Sequence, residues 1–334
     1  MSHHIAKLVE ICRNKNIFIQ THNFPDPDAI ASAYGLQKLL LHYGISSELC
    51  YAGRIDKLSA TKMLQMFDIE IYSYDHLREH MKESDYIICV DSQKNAGNVT
   101  DFIGHEVASI DHHPIFVEPD YQYEDIRITG ACASLIAEYF VEAGLTPDSD
   151  TATVLLYGIK MDTLQFTRGV TALDISMFAF LHPLIDQTKM ANLERNNMEF
   201  HDLSAYGAAI EHIKVYDTAG FSFIPFSCPD ALIATISDFI LSLEEVKIAV
   251  ICSHRKDGIK LSVRSETAKA HAGELIREAL KDIGNGGGHA GMAGGLIPQK
   301  SLDLLGEYPE ERLIQLFLDE LDHIDRTKQL ELFS

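Results

Sequence analysis

The chain has 334 residues, 46% apolar and 23% charged, with 49 acidic against 28 basic side chains and a formal net charge of −21. That length accommodates two domains, and the composition is that of a globular protein rather than a disordered one. The acidic surplus argues against a basic track for long DNA or RNA, which needs Lys and Arg at the phosphates, but not against a small anionic substrate at a locally cationic site.

Short apolar runs alternate with helical patterns through the first half. Ile17–Ile19 reads as a strand, and residues 28–43 read as a helix with Ala29, Ile30, Ala33, Leu36, Leu40 and Tyr43 on one face. Residues 48–52 suggest a second strand. YIICV at 86–90 is a fully apolar run of the kind buried in parallel sheets, and residues 107–110 form another. Helical stretches follow at 131–143 and 150–161. This alternation predicts an α/β fold with a mostly parallel sheet flanked by helices.

A boundary is expected in the polar, weakly periodic stretch 191–205, dividing a first domain (1–190) from a second, smaller α/β domain of mixed sheet (206–334). There the pattern predicts a hairpin over 215–226 turning at Asp217-Thr218-Ala219-Gly220 and a helix over 231–243. Two strands follow within 246–263 about Arg255-Lys256-Asp257-Gly258, then a helix over 272–283. The glycine-rich loop GNGGGHAGMAGG precedes a last helix near 311–324. No apolar run approaches the ~20 residues of a membrane span, and MSHHIAKLVEICRNK is amphipathic rather than a signal peptide, so a soluble cytoplasmic protein with no membrane partner is expected. The six cysteines form no C-x-x-C pair and read as reduced packing residues.

The chemistry gathers at strand ends. His22, Asp26 and Asp28 follow the run 17–19, Asp91 follows YIICV, and Asp111, His112 and His113 follow the run ending at Ile110. Asp162 ends the helical stretch LLYGIKM. In open parallel sheets the crevice outside the carboxyl ends of the strands is where ligands bind, so three of these groups converge by topology. Taken singly they are bland: Asp28 is a favoured helix N-cap type, Asp91 a turn anchor, His112-His113 a surface loop. Together they are a costly cluster of like charges unless a cation is held. Carboxylates with imidazoles suit Mn²⁺, with Mg²⁺ or Fe²⁺ as alternatives, and so many donors fit two ions sharing a bridging carboxylate.

HNFPDPDA, VDS, DHHP and MDT, in that order and spacing, resemble the four motifs of the DHH phosphoesterase superfamily, and GGGH at 286–289 resembles the signature of the DHH-associated C-terminal domain. Within the superfamily the chain looks like the stand-alone oligoribonuclease and phosphoadenosine-phosphate phosphatase group. The resemblance implies one metal on His22, Asp26 and Asp91 and another on Asp28, Asp91, His112 and Asp162, with Asp91 bridging. It implies that His113 faces the substrate phosphate as charge-stabiliser or general acid, with Asp111 orienting the histidines. Arg264, Ser265, Gly286, Gly287, Gly288 and His289 would grip the nucleotide. Arg168, in MDTLQFTR, is a further candidate to reach a phosphate. The chain departs from the family at Pro27, where glycine is often found; proline pushes Asp26 toward extended backbone.

The implied substrates are short oligoribonucleotides, linear dinucleotides or 3′-phosphoadenosine 5′-phosphate, attacked by hydroxide held between the ions. A pyrophosphatase or exopolyphosphatase on the same metal site is the rival enzyme, and a nucleotide-sensing module with a vestigial site is a rival of another class. A homodimer is compatible with the sequence, which does not fix the oligomeric state.

Overall fold

In the computed structural model, which describes residues 3–55, 57–115, 120–195 and 198–331, the apolar runs of the first half line up as one sheet in which every pairing is parallel. The chain divides into two units, Met1–Asn197 and Met198–Ser334, each with its own sheet and core.

The first sheet contains β1 (Ile17–Gln20), β2 (Ser47–Tyr51), β3 (Ile71–Ser73), β4 (Tyr86–Val90), β5 (His105–Asp111) and β6 (Tyr123–Ile126), in the order β3-β2-β1-β4-β5-β6. Side chains alternate across a strand, so Ile17, Ile19, Ile88 and Val90 fall on one face and Phe18, Ile87 and Cys89 on the other. The first face packs beneath α1 (His3–Cys12), α2 (Pro27–His42), α5 (Cys132–Ala143) and α6 (Ser149–Asp162). The second packs against Leu77, Met81 and Phe102. Helices α3 (Leu58–Met66), α4 (Tyr74–Leu77), α7 (Ala172–Leu181) and α8 (Gln187–Glu194) complete the unit. Strand order reverses between β1 and β4, and that switch point opens a crevice at the carboxyl ends of these two strands.

The second unit holds α9 (Asp202–Glu211), β7 (Lys214–Tyr216), β8 (Ala219–Ile224), α10 (Asp230–Leu241), β9 (Ile248–Arg255) and β10 (Gly258–Ser265). Then come α11 (Ala272–Ala279), β11 (Asn285–Gly288), β12 (Met292–Pro298), a 3₁₀ turn at Gln299–Leu305 and α12 (Pro309–Glu331). Its mixed sheet runs β11-β12-β10-β9-β8-β7, with β8 and β9 parallel and the other pairs antiparallel. No helix of the described residues is long and apolar enough to cross a membrane, and all six cysteines are buried and free.

Several expectations are corrected. β3, β6, α3, α4, α7, α8 and α9 were not anticipated, and α8 and α9 occupy much of the stretch read as a linker. The hairpin turns at Asp217-Thr218, with Asp217 at φ +52°, while Ala219 and Gly220 already belong to β8. The glycine-rich segment is not an open loop: Gly286–Gly288 pair with 293–295 as an edge hairpin. Glycine is required there because α11 packs on it; a Cβ on Gly286 would stand 2.8 Å from the Ile276 side chain.

Candidate metal centre

The crevice at the switch point collects the strand-end residues. β1 runs into the loop bearing His22, and β4 ends at Val90, immediately before Asp91, which takes a left-handed φ of +53°. Asp91 then sits between two imidazoles, its Oδ2 3.5 Å from His22 Nε2 and its Oδ1 3.2 Å from His112 Nε2. His22 Nε2 is also 3.9 Å from Asp26 Oδ1, and His112 Nε2 is 3.4 Å from Asp162 Oδ2. Two three-residue groups result, His22–Asp26–Asp91 and Asp28–His112–Asp162, each with donor atoms within 4.8 Å of one another. Asp91 belongs to the first and touches the second.

Each imidazole is aimed from behind. His22 Nδ1 donates to the Asn23 carbonyl at 2.8 Å and His112 Nδ1 to the Thr129 carbonyl at 3.0 Å, which turns Nε2 of both toward the carboxylates. Asp111 Oδ1 accepts from His113 Nδ1 and from the His112 backbone N–H, both at 2.8 Å, and its Oδ2 accepts from Gln93 at 2.7 Å. Asp111 therefore orients the His113 ring, while it holds only the backbone of His112.

Asp26, not Asp28, caps α2: Pro27 occupies the first helical position, and Asp26 Oδ1 accepts from the N–H groups of Asp28 and Ala29. Asp28 instead reaches α5. The N-cap of that helix is Ala131, which has no side-chain acceptor, and the Asp28 oxygens take the Cys132 and Ala133 N–H groups at 2.7 and 3.0 Å. This approach depends on Gly158 of α6, where a Cβ would stand 2.7 Å from Ala31 Cβ and 3.1 Å from Asp28 Oδ1.

The charges are unbalanced in a way that suits a cation. Burial pushes the Asp91 carboxyl up, but the His112 and His22 imidazoles beside it outweigh that and hold it well below the usual range. Burial pulls the two imidazoles down, yet Asp91 prevails and raises His22 to about 9 and His112 to about 11. Burial, with the charges of Asp91 and Asp162 behind it, lifts Asp28 well above the usual range. Burial and then Asp26 raise Asp162 to about 6. Asp91 Oδ1 is buried, and although His112 Nε2 stands 3.2 Å away the oxygen accepts no well-aligned hydrogen bond among the described residues, so a carboxylate–imidazole donor set surrounds a lone pair left unsatisfied. The residues present fit a divalent cation.

Arg168 does not stand apart as a phosphate ligand: its Nη2 donates to the Asp162 carbonyl at 2.7 Å and lies 3.5 Å from Asp162 Oδ1. It returns there through three consecutive left-handed residues, Leu164, Gln165 and Phe166, at φ +45°, +56° and +64°. Such a conformation costs about 1–2 kcal/mol per residue, and it bends the chain sharply after Asp162.

In the second unit, Arg264 Nε donates to Asp238 Oδ1 at 2.5 Å and its Nη1 to Ser262 Oγ at 3.2 Å. Ser265 Oγ donates to the Ala270 carbonyl at 2.7 Å. His289 is exposed beyond β11, and the carbonyls of His289 and Ala290 accept from Gly273 and Ala272, so the first N–H groups of α11 are already taken. A free backbone nest for an anion is therefore not formed at that helix end. Residues that sequence reasoning missed are Gln93 and Asp174. The latter's carboxylate accepts from Gly130, Ser134 and Thr171, fastening the turn that bears Thr129. Locally, Thr171-x-x-Asp174 reads only as a capping box at the start of α7; the partners that tie Asp174 and Gln93 to the site, Gly130, Ser134 and Asp111, lie far along the chain.

A family model described as "DHH family, N-terminal domain" matches residues 16–159, and one described as "DHHA1 domain" matches 218–324. An uncharacterised protein of Methanocaldococcus jannaschii is 27% identical over 285 residues, 84% of this chain but 58% of that protein. A second from the same organism is 23% identical over 322 residues, covering 87% of this chain and 89% of its own. A protein named a probable manganese-dependent inorganic pyrophosphatase, from Bacillus mycoides, is 25% identical over 155 residues, 46% of this chain and 49% of its own length.

Among solved structures, an exopolyphosphatase-related protein from Bacteroides fragilis superposes with a TM-score of 0.78 at 19% identity, covering 96% of both chains. RecJ in complex with Mn²⁺ from Thermus thermophilus gives 0.55 at 16% identity, covering 96% of this chain and 54% of the other. These two likenesses are of fold. With both family domains matched in order over most of its length, the chain belongs to the DHH family.

Proposed function

We propose that the chain is a divalent-metal-dependent phosphoesterase acting on short ribonucleotide substrates: oligoribonucleotides of a few residues, linear dinucleotides or 3′-phosphoadenosine 5′-phosphate. The observation that carries this reading is Asp91, shared between two histidine–carboxylate groups at the switch point of a parallel sheet, with a buried oxygen left unsatisfied. His22, Asp26 and Asp91 would hold one Mn²⁺, and Asp28, Asp91, His112 and Asp162 a second; Mg²⁺ and Fe²⁺ suit the same donors. When bound, such cations lower the pKa of water and neutralise phosphoryl oxygens. Family membership and the Mn²⁺ named for the RecJ neighbour support that choice of cation.

The remaining work falls to the chain. His113, raised above its ordinary pKa chiefly by the Asp111 hydrogen bond, would supply a proton to the leaving oxygen. Asp111, fixed by Gln93, keeps that ring in place. In the second unit Arg264, Ser265 and the Gly286–His289 hairpin end are assigned to nucleotide recognition on the family resemblance. Arg168 is reassigned to orienting Asp162.

The test is an activity panel on chelator-stripped protein with Mn²⁺ added back. It compares a dinucleotide, a short oligoribonucleotide, 3′-phosphoadenosine 5′-phosphate and pyrophosphate. Mn²⁺-restored turnover of a nucleotide, faster than that of pyrophosphate, is expected. Pyrophosphate turned over fastest would favour the pyrophosphatase reading, which the 46% of the chain similar to a protein of that name also supports. Nucleotide binding without turnover under any metal would leave a sensing module.

A further inference from the structure

We propose that Phe24 is a nucleobase-stacking platform on the rim of the metal centre, making the site selective for phosphates that carry a base. This rests on the phosphoesterase reading above and deepens it. Phe24 lies between His22 and Asp26 and is 57% exposed, although phenylalanine ordinarily sits inside. Its φ is +57°, an outlier conformation for a bulky residue that costs about 1–2 kcal/mol. A strained residue persists only where its surroundings hold it, and such residues gather at binding sites.

The surroundings here are specific. The Phe24 N–H donates to the Ala52 carbonyl at 2.9 Å, and the preceding Asn23 is fastened through its Oδ1 to the Thr100 N–H and hydroxyl at 3.1 and 3.0 Å. The ring rests on Gly53, where a Cβ would stand 2.8 Å from Phe24 Cε1 and 2.9 Å from Cδ1. Any side chain at position 53 would lift the ring. The next residue, Pro25, is buried. The ring is thus anchored at its base and open to solvent, two residues from a candidate metal ligand on either side. A fixed, exposed π face loses little entropy on stacking, and base–aromatic stacking contributes about 1–3 kcal/mol per base. On the same rim Lys57 Nζ lies 3.8 Å from Asp26 Oδ2, a cation for the phosphate attached to the stacked base. Pyrophosphate has no ring to stack and gains nothing from Phe24.

The chain contains no tryptophan, so Phe24→Trp installs a single fluorophore at the platform. In the Mn²⁺-loaded full chain, AMP should quench it saturably and inorganic pyrophosphate should not. With phosphoadenylyl-adenosine as substrate, Phe24→Leu and Phe24→Ala should raise KM about 10- to 100-fold with a much smaller change in kcat, and Phe24→Tyr should restore KM. An unchanged KM in Phe24→Leu, or a loss of Mn²⁺ affinity matching the loss of substrate affinity, would overturn the platform and leave a structural role. Quenching by AMP without turnover of any nucleotide would sustain the platform while sinking the enzyme reading. Turnover with AMP inhibition but no quenching would do the reverse.

Discussion

Gly158→Ala is the substitution for which helix propensity and structure give opposite signs. Gly158 lies inside α6, where alanine is intrinsically better by about 0.8–1 kcal/mol. Its added Cβ would stand 2.7 Å from Ala31 Cβ, 3.1 Å from Asp28 Oδ1 and 3.3 Å from Ala133 Cβ. Those atoms belong to α2 and α5, packed on either side, so none yields as a flexible tip would. Overpacking costs about 1–3 kcal/mol, and three neighbours within 3.3 Å place this site in the upper part of that range, about 2–3 kcal/mol; less the propensity gain, the variant is destabilised by about 1–2 kcal/mol. For a unit of this size that lowers Tm by about 2–8 °C. Gly207→Ala is the control: it sits exposed on α9, and its Cβ would meet nothing within 4 Å among the described residues, so stability should hold or rise. Thermal unfolding of both variants, with chelator and across an Mn²⁺ titration, reads the difference. Gly158→Ala should also show a weaker Mn²⁺ response, because the methyl presses on Asp28. A Gly158→Ala protein as stable and as responsive to Mn²⁺ as the parent would refute the packing argument and the placing of Asp28.

Asp91→Ala should lose both metals, and near-normal Mn²⁺ content by metal analysis would remove the bridging assignment; His22→Ala should lose one preferentially. On a dinucleotide, His113→Ala should lower kcat by about 10² or more, whereas Arg264→Ala should raise KM more than it lowers kcat, and the opposite pattern would reverse their roles. The histidines set a pH dependence. Their folded pKa values, about 9 for His22 and about 11 for His112, lie above the ordinary value, so the stability they add is full below about pH 6.5 and is lost as pH rises through those values. Mn²⁺ must displace the same protons. Binding at pH 7.5 should release at least two, one from each imidazole, with any held by the raised Asp28 carboxyl in addition; calorimetry in buffers of different ionisation enthalpy measures this, and proton-neutral binding would contradict the arrangement.

The legible part of the fold was its centre. β1 and β4 are apolar runs because both faces of the sheet are covered, and the residue type changes abruptly where each strand reaches the crevice, so His22 and Asp91 stand out. The edges were not legible. β6 reads YEDI, with charges on the strand, and β3 is three half-buried residues, since an edge strand need not be apolar throughout. Of the site, the donor types and their order could be read, but the division of work between Asp26 and Asp28 could not. Both are good caps by type, and only the arrival of α5, more than a hundred residues later, separates them. The contact of Arg168 with Asp162 was illegible for a similar reason: no local pattern signals three left-handed residues in a row without glycine.

The first turn of α5 is held by an acceptor from α2, and this makes the Cys132 and Ala133 amides a built-in gauge of the centre. Their exchange with deuterated solvent requires the Asp28 carboxylate to let go, through a local opening rather than global unfolding. A cation drawing Asp28 into place closes that opening, and an empty centre leaves Asp28 crowded by like charges and easier to release. Deuterium uptake at two backbone positions therefore follows metal loading with no chromophore, substrate or turnover, and it does so equally for Mn²⁺ and for spectroscopically silent Mg²⁺.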